Sequence, residues 1–162
     1  MCIQDRSPRH YFPETFSTSL LNDFKSFGRI SLNLAVKPLP HLSNEVTISI
    51  QERAVTAGQE LHGKVSINYN GRWDSVVINS QIENSSDVFS YSFLNGKKVN
   101  HPYARLSIFK AELKGLTTID FIASTRHAPA EPSSVKFRVS LIQEHKEIYS
   151  DIAYSKVMVV KN

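Results

Sequence analysis

The stretch 45–69, EVTISIQERAVTAGQELHGKVSINY, decides the fold of this 162-residue chain. Apolar and polar residues alternate in it on both sides of a segment that contains Gly58. The apolar positions are Val46, Ile48 and Ile50 before that segment, and Leu61, Val65, Ile67 and Tyr69 after it. A period of two places successive side chains on opposite faces of a strand. Each half is therefore predicted to be a β-strand with one buried face and one face in solvent.

The same alternation returns along the chain, separated by turn signals. Asn70-Gly71 predicts a tight turn, Asn95-Gly96 predicts a hairpin, and residues 126–134 predict a loop that contains two prolines. A change of phase near Phe109 predicts a bulge or a bend. About nine short strands at this spacing are typical of an antiparallel β-sandwich. The sequence thus predicts an all-β, immunoglobulin-like sandwich.

Residues 1–44 are predicted to form an N-terminal extension, followed by the sandwich of residues 45–162. Within the extension, residues 13–27 fit an amphipathic helix and residues 29–37 alternate as a strand. We expect the helix to cover its own sandwich, although such a helix also fits another protein's groove or a membrane interface. The candidate partner-binding residues are those on its apolar side, namely Phe16, Leu20, Phe24 and Phe27.

The charge pattern does not favour a nucleic-acid partner. The net charge is +4, and the basic residues are spread along the chain apart from a modest cluster between Lys97 and Lys114. The aromatic residues Phe89, Tyr91 and Phe93 precede this cluster, and rings beside cations could stack on single-stranded nucleic acid. Because the rings alternate with polar residues, we expect them instead to form one face of the core.

Cellular location is predicted from Cys2 and from hydropathy. Cys2 is the only cysteine, so an intrachain disulfide cannot form, which fits a reducing compartment. No apolar run is long enough to span a bilayer, and the N-terminus lacks the apolar core of a secretory signal. We expect a cytosolic protein.

Motifs that carry chemistry are missing from the sequence. The six histidines do not stand at metal-ligand spacing with one another or with the cysteine. Phosphate loops and nucleophile elbows do not occur either. We therefore expect no catalytic residue, no metal and no cofactor. The alternative is a small-ligand binder or an enzyme with a pocket between the two sheets.

Two segments resemble the arrestin fold family, which includes arrestins, alpha-arrestin-like proteins and Vps26-type sorting proteins. The first is the strand 46–50 followed by Ala57-Gly58-Gln59-Glu60-Leu61-His62-Gly63-Lys64-Val65. The second is residues 119–122, a loop with Pro129 and Pro132, and the strand 135–141. Gly58 would supply the positive φ of a turn, and Gly63 a bulge or a close backbone approach. The resemblance implies a non-catalytic adaptor or scaffold that binds other proteins in intracellular trafficking or signalling.

Overall fold

The computed structural model describes residues 44–161 and contains nine β-strands and one helical turn in that range. In chain order the elements are β1 (Val46–Ile50), β2 (Leu61–Ile67), β3 (Ser75–Ile82), β4 (Phe89–Leu94), β5 (Lys97–His101), β6 (Arg105–Phe109), α1 (Lys110–Leu113), β7 (Thr118–Thr125), β8 (Ser133–Gln143) and β9 (Lys146–Val157). The helix predicted over 13–27 and the strand predicted over 29–37 lie outside the described residues.

The strands form two antiparallel sheets, as predicted. Sheet A has the order β1-β2-β7-β4-β5, and sheet B has the order β6-β3-β8-β9. Alternate residues of the strands point between the sheets and are buried there, except in β5, so the alternation seen in the sequence becomes one shared core. The largest fully buried side chains of this core are Phe89, Tyr91, Phe121 and Phe137. Their rings contact one another, with Phe89 and Phe137 at a centroid distance of 5.2 Å.

The opening pair of strands forms as the alternation indicates. β1 pairs with β2, with Val46 opposite Ile67. Gly58 has a φ of +86°, as predicted for its turn. Gly63 lies under the ring of Phe121, where a Cβ atom would stand 2.0 Å from the ring's Cζ. The predicted close approach at Gly63 is thus confirmed, because a side chain there would overlap the core.

The predicted core position of Phe93 is wrong. Tyr91 pairs with Ala123, but Phe93 pairs with Ile122, so the register between β4 and β7 shifts by one residue at Ser92. An extra residue in one strand reverses the alternation beyond it. Phe93 therefore lies with Ile122 on the outer face of sheet A, while Phe89 and Tyr91 are buried in the core.

Asn70-Gly71, where a tight turn is predicted, belongs to the segment that crosses from β2 in one sheet to β3 in the other. The phase change near Phe109, predicted as a bulge or a bend, marks the end of β6 and the start of α1 at Lys110. The hairpin predicted at Asn95-Gly96 is confirmed, because these residues have φ of 49° and 77°, the two positive values that a tight hairpin turn requires.

One long side of the sandwich is closed by its own chain. The segment between β1 and β2 crosses to sheet B, where the Val55 N–H donates to the Lys156 carbonyl at 2.9 Å. The Met158 N–H in turn donates to the Val55 carbonyl at 2.8 Å. The edge strands β1 and β9 are thus tied together, and we call this side the closed seam.

The opposite side is bounded by the edge strands β5 and β6. Residues 102–104 carry the chain from sheet A to sheet B at one end of this side, and residues 114–117 return it at the other. No backbone hydrogen bond within residues 44–161 joins β5 to β6. We call this side the open seam.

Candidate functional site

A groove of about 500 Å3 follows the open seam between β5 and β6. Its apolar lining comes from both sheets and from α1 and the segment after it: Leu94, Val99, Leu106, Ile108, Leu113 and Leu116. Leu106 and Ile108 point inward from β6 and are nearly buried, whereas Leu116 on the rim is 53% exposed. The groove is therefore an opening through which solvent reaches the border of the core.

The backbone of β6 alternates between bonding β3 and pointing into the seam. The Ser80 N–H donates to the Ala104 carbonyl at 3.1 Å, and the Lys110 N–H donates to the Asp74 carbonyl at 2.9 Å. In an antiparallel pair, hydrogen-bonded and non-hydrogen-bonded residue pairs alternate. The residues of β6 that bond β3 are therefore Leu106 and Ile108, and the N–H and C=O of Ser107 point away from β3.

Side chains occupy the edge of β6 on both sides of Ser107. The Arg105 carbonyl lies 2.6 Å from the Nε2 of His101, which donates to it. The Phe109 N–H donates to a Glu112 carboxylate oxygen at 2.9 Å. The Ser107 N–H and C=O have no backbone or side-chain partner within residues 44–161. The unpaired part of this edge is therefore short and lies above the middle of the groove.

Tyr91 fixes the end of the groove at the 102–104 crossover. Its hydroxyl donates to the Ala104 carbonyl at 3.1 Å. Burial raises the pKa of Tyr91, so the hydroxyl stays protonated and remains a donor. The His101 ring lies beside that of Tyr91 at a centroid distance of 5.9 Å. The groove thus has a rigid end made of aromatic side chains.

Cationic side chains are concentrated in the segment of the chain that forms the groove, and Lys97 and Lys114 line the groove itself. The segment 95–116 carries five cationic side chains and one carboxylate: Lys97, Lys98, Arg105, Lys110, Lys114 and Glu112. The Lys110 ammonium stands 4.8 Å from the centre of the Trp73 ring. The other four cations are exposed and form no ion pair with a carboxylate of residues 44–161. We call these four residues, Lys97, Lys98, Arg105 and Lys114, the basic rim; Lys97 and Lys114 line the groove, and the other two lie on β5 and β6 outside its lining.

A serine, a histidine and an aspartate meet elsewhere, between the β3–β4 and β7–β8 loops, without forming a catalytic triad. The Asp87 carboxylate contacts Nδ1 of His127 at 2.7 Å, and the Ser85 hydroxyl contacts the same Nδ1 at 3.3 Å. A triad needs the carboxylate on one ring nitrogen and the nucleophile on the other. Ser85 also accepts a hydrogen bond from the Asp87 N–H at 3.0 Å. The hydrogen bonds of this cluster therefore connect the two loops.

Two glutamates have lowered pKa values for structural reasons. Partial burial would raise the pKa of Glu52, but hydrogen bonds from the backbone N–H and ring of His62 outweigh it and lower the pKa. Burial would likewise raise the pKa of Glu147, but hydrogen bonds from Ser140 and Arg138 outweigh burial and lower the pKa. Both carboxylates thus belong to stabilising contacts of the fold.

A second cavity, of about 590 Å3, lies on the outer face of sheet A. Phe93 and Ile122 line it together with His62, Lys64 and Asp120. It sits over β2 and β7, whose backbones pair with strands on both sides. This cavity offers side chains only, whereas the groove at the open seam also offers backbone groups, and we take the groove as the candidate site.

Metal and membrane features are not found in the described part of the chain. Residues 44–161 contain no group of three or more histidine, cysteine, aspartate or glutamate side chains placed to hold a metal ion. Within the same range no helix has the length and hydropathy needed to cross a bilayer.

The sequence did not identify the groove as a site. Its predicted partner-binding residues, Phe16, Leu20, Phe24 and Phe27, all lie outside the described residues. The basic cluster was a usable signal, and so were the paired lysines of β5 followed by Pro102, since lysine and proline mark edge strands. The apolar floor gave no separate signal, because inward-facing residues of an edge strand alternate like those of any other strand.

Comparison with known proteins gives structures but no family. No protein-family model matches the chain, and no curated protein matches it. Similar solved structures include a conjugative transposon lipoprotein from Bacteroides eggerthii (11% identity, 71% of this chain and 98% of that one, TM-score 0.44). Others are the human F-spondin reeler domain (12%, 70% and 89%, 0.42) and the third ScaB cohesin of R. flavefaciens in complex with a group 1 dockerin (13%, 73% and 96%, 0.39).

The expected relation to arrestins is wrong. The similar solved structures include lipoprotein, reeler, cohesin and adhesin domains, and none of these is an arrestin. The motifs that suggested it have local causes: Gly58 is required by a turn of positive φ, and Gly63 by the ring of Phe121. Both requirements arise in sandwiches of many kinds.

Proposed function

We propose that this sandwich is a non-catalytic protein-binding domain whose open seam receives a segment of another protein. The observation that carries the proposal is the difference between the two seams. The chain ties β1 to β9 with its own backbone and side chains, yet leaves an apolar groove between β5 and β6. An exposed sheet edge beside apolar surface is a common place for a partner to bind.

The rim defines the chemistry of the partner. Two exposed cations, Lys97 and Lys114, line the groove, and the one carboxylate of the segment, Glu112, is already bonded to the Phe109 N–H. A partner segment with acidic residues would satisfy this charge, and electrostatic complementarity chiefly supplies specificity and association rate. We therefore propose an acidic segment with apolar anchors.

The size of the groove limits the affinity. Each apolar side chain that the groove buries contributes about 1.5–3 kcal/mol. Association costs about 4–15 kcal/mol in lost freedom, which the anchors and backbone contacts must offset. We therefore expect weak, reversible binding. The proposal includes the cytosolic location predicted from the single cysteine.

Peptide display tests the proposal. Peptides from a random 12-residue library would be selected for binding to the full chain. Their binding to the Leu116→Glu variant, which places a negative charge on the exposed rim, would then be measured. Val160→Glu is the matched control, since Val160 is 46% exposed and lies outside the groove lining. We expect enriched peptides to be acidic with spaced apolar residues and to lose binding to Leu116→Glu only. Enrichment of no peptide, or equal binding to both variants, would contradict the proposal.

A further inference from the structure

We propose that the partner segment binds as an added β-strand, paired to the edge of β6 through the N–H and C=O of Ser107. The inference rests on the proposed function and specifies how the partner is held. It adds two claims to it: that the bound segment is extended, and that its backbone extends sheet B beyond β6.

The phase of the β3–β6 ladder supports this mode. The hydrogen bonds at Ala104 and Lys110 show that the backbone groups of Leu106 and Ile108 bond to β3. The backbone groups of Ser107, between them, therefore face the seam. In an antiparallel pair, such a residue exchanges both of its hydrogen bonds with one residue opposite. A partner strand would thus find one donor and one acceptor at the correct spacing.

The two side chains that flank Ser107 set the length of the pairing. His101 donates to the Arg105 carbonyl, and Glu112 accepts from the Phe109 N–H. Both groups occupy positions where a longer partner strand would bond. Natural edge strands often carry devices that limit pairing with other chains. Pairing is therefore confined to the centre of β6 unless a partner displaces these side chains.

The groove beside this edge supplies side-chain selectivity. Alternate side chains of the added strand would point inward toward Leu106, Ile108 and Val99, while the others would face solvent near the basic rim. A period of two is therefore expected in the partner, with apolar residues alternating with acidic ones. The apolar lining, the two lysines within it and the outward-facing Arg105 of β6 match a strand that carries both apolar and acidic side chains.

Ser107→Pro is the discriminating variant. Proline removes only the N–H of Ser107, which points away from β3, so the β3–β6 ladder keeps all its bonds. Ser107→Ala is the matched control because it keeps the N–H. For a peptide selected on the full chain, we expect Ser107→Pro to weaken binding at least tenfold and Ser107→Ala less than twofold.

N-methylation of the peptide backbone gives a second readout that needs no protein variant. A methyl group on the one peptide nitrogen that donates to the Ser107 carbonyl should weaken binding, and methyl groups on the two neighbouring nitrogens, which face away from β6, should not. Equal binding to Ser107→Pro and Ser107→Ala, together with no single nitrogen at which methylation weakens binding, would overturn the strand-addition mode. If Leu116→Glu still abolished binding in that case, the proposed function would stand. Binding that is indifferent to Leu116→Glu would instead contradict the proposed function itself.

Discussion

The carboxylate of Asp151 accepts a hydrogen bond of 2.9 Å from the backbone N–H of Ile48. Ile48 belongs to β1, an edge of sheet A, and Asp151 belongs to β9, an edge of sheet B. Asp151 lies opposite the buried Val139 in β8, so its side chain points toward the space between the sheets. An inward-pointing charge discourages pairing at an edge strand. One carboxylate thus both joins the two sheets and blocks the edge of β1.

Replacement of Asp151 by alanine should weaken the closed seam. We expect Asp151→Ala to lower the free energy of unfolding by about 1.5–3 kcal/mol, because a hydrogen bond to a charged group is lost and the Ile48 N–H is left unpaired. Asp151→Asn, which keeps an acceptor oxygen, should cost less. Urea denaturation measures both, with the exposed Asp120→Ala as a control expected within about 0.5 kcal/mol of the wild type. Equal stability of Asp151→Ala and the wild type would show that the contact does not hold the seam.

Gly63 should not tolerate a side chain. A Cβ atom at this position would stand 2.0 Å from Cζ of Phe121, inside the core. We expect Gly63→Ala to destabilise the fold by about 1–3 kcal/mol through overpacking. Thermal denaturation of Gly63→Ala, Phe121→Leu and the double variant measures the coupling between the two positions. The double variant should be less destabilised than the sum of the single variants, and simple additivity would argue against the overlap.

Acid should weaken the fold partly through Glu52 and Glu147. The folded-state pKa of each lies below its ordinary value, so each carboxylate stabilises the fold above an unfolded-state pKa of about 4.3. That contribution is lost as the pH falls through the lower, folded-state pKa. We expect the Glu52→Gln/Glu147→Gln variant to have lower stability at pH 7 and a shallower loss of stability between about pH 5 and pH 3. An unchanged pH profile would contradict the assignment.

The basic rim should control the electrostatic part of partner binding. Lys97→Glu/Lys114→Glu reverses two exposed charges that line the groove and should weaken binding of a selected acidic peptide about tenfold at low salt. Its affinity should also depend less on ionic strength, since fewer attractive charges remain to be screened. Lys156→Glu/Lys161→Glu makes the same charge change outside the groove lining and should have a small effect. Fluorescence polarisation at two salt concentrations measures all three proteins.

Alternation and glycine requirements carried most of the fold prediction. The positions Val46, Ile48 and Leu61 are buried as the period of two indicates, because one face of each strand must meet the core. Asn95-Gly96 and Gly58 have the positive φ values that their turns need. These features depend on local chemistry, which a single sequence contains.

Features that depend on pairing between distant strands could not be predicted from local sequence patterns. The bulge that turns Phe93 outward is visible only in the pairing of Phe93 with Ile122 in β7. The residue types near Ser92 do not predict it. The open seam likewise depends on which strands end at the sheet edges. Ser107 has no unusual sequence context, and only the ladder between β3 and β6 shows that its backbone points outward. The candidate site therefore emerged from the topology.

Amide hydrogen exchange by NMR, measured on the full chain with and without a saturating selected peptide, tests the central claim most directly. We predict that exchange of the Ser107 N–H slows at least tenfold when the peptide binds. The Phe109 N–H, already bonded to Glu112, should change little. Unchanged exchange at Ser107, with chemical-shift changes confined to His62, Lys64 and Asp120 around the cavity on the outer face of sheet A, would contradict binding at the open seam.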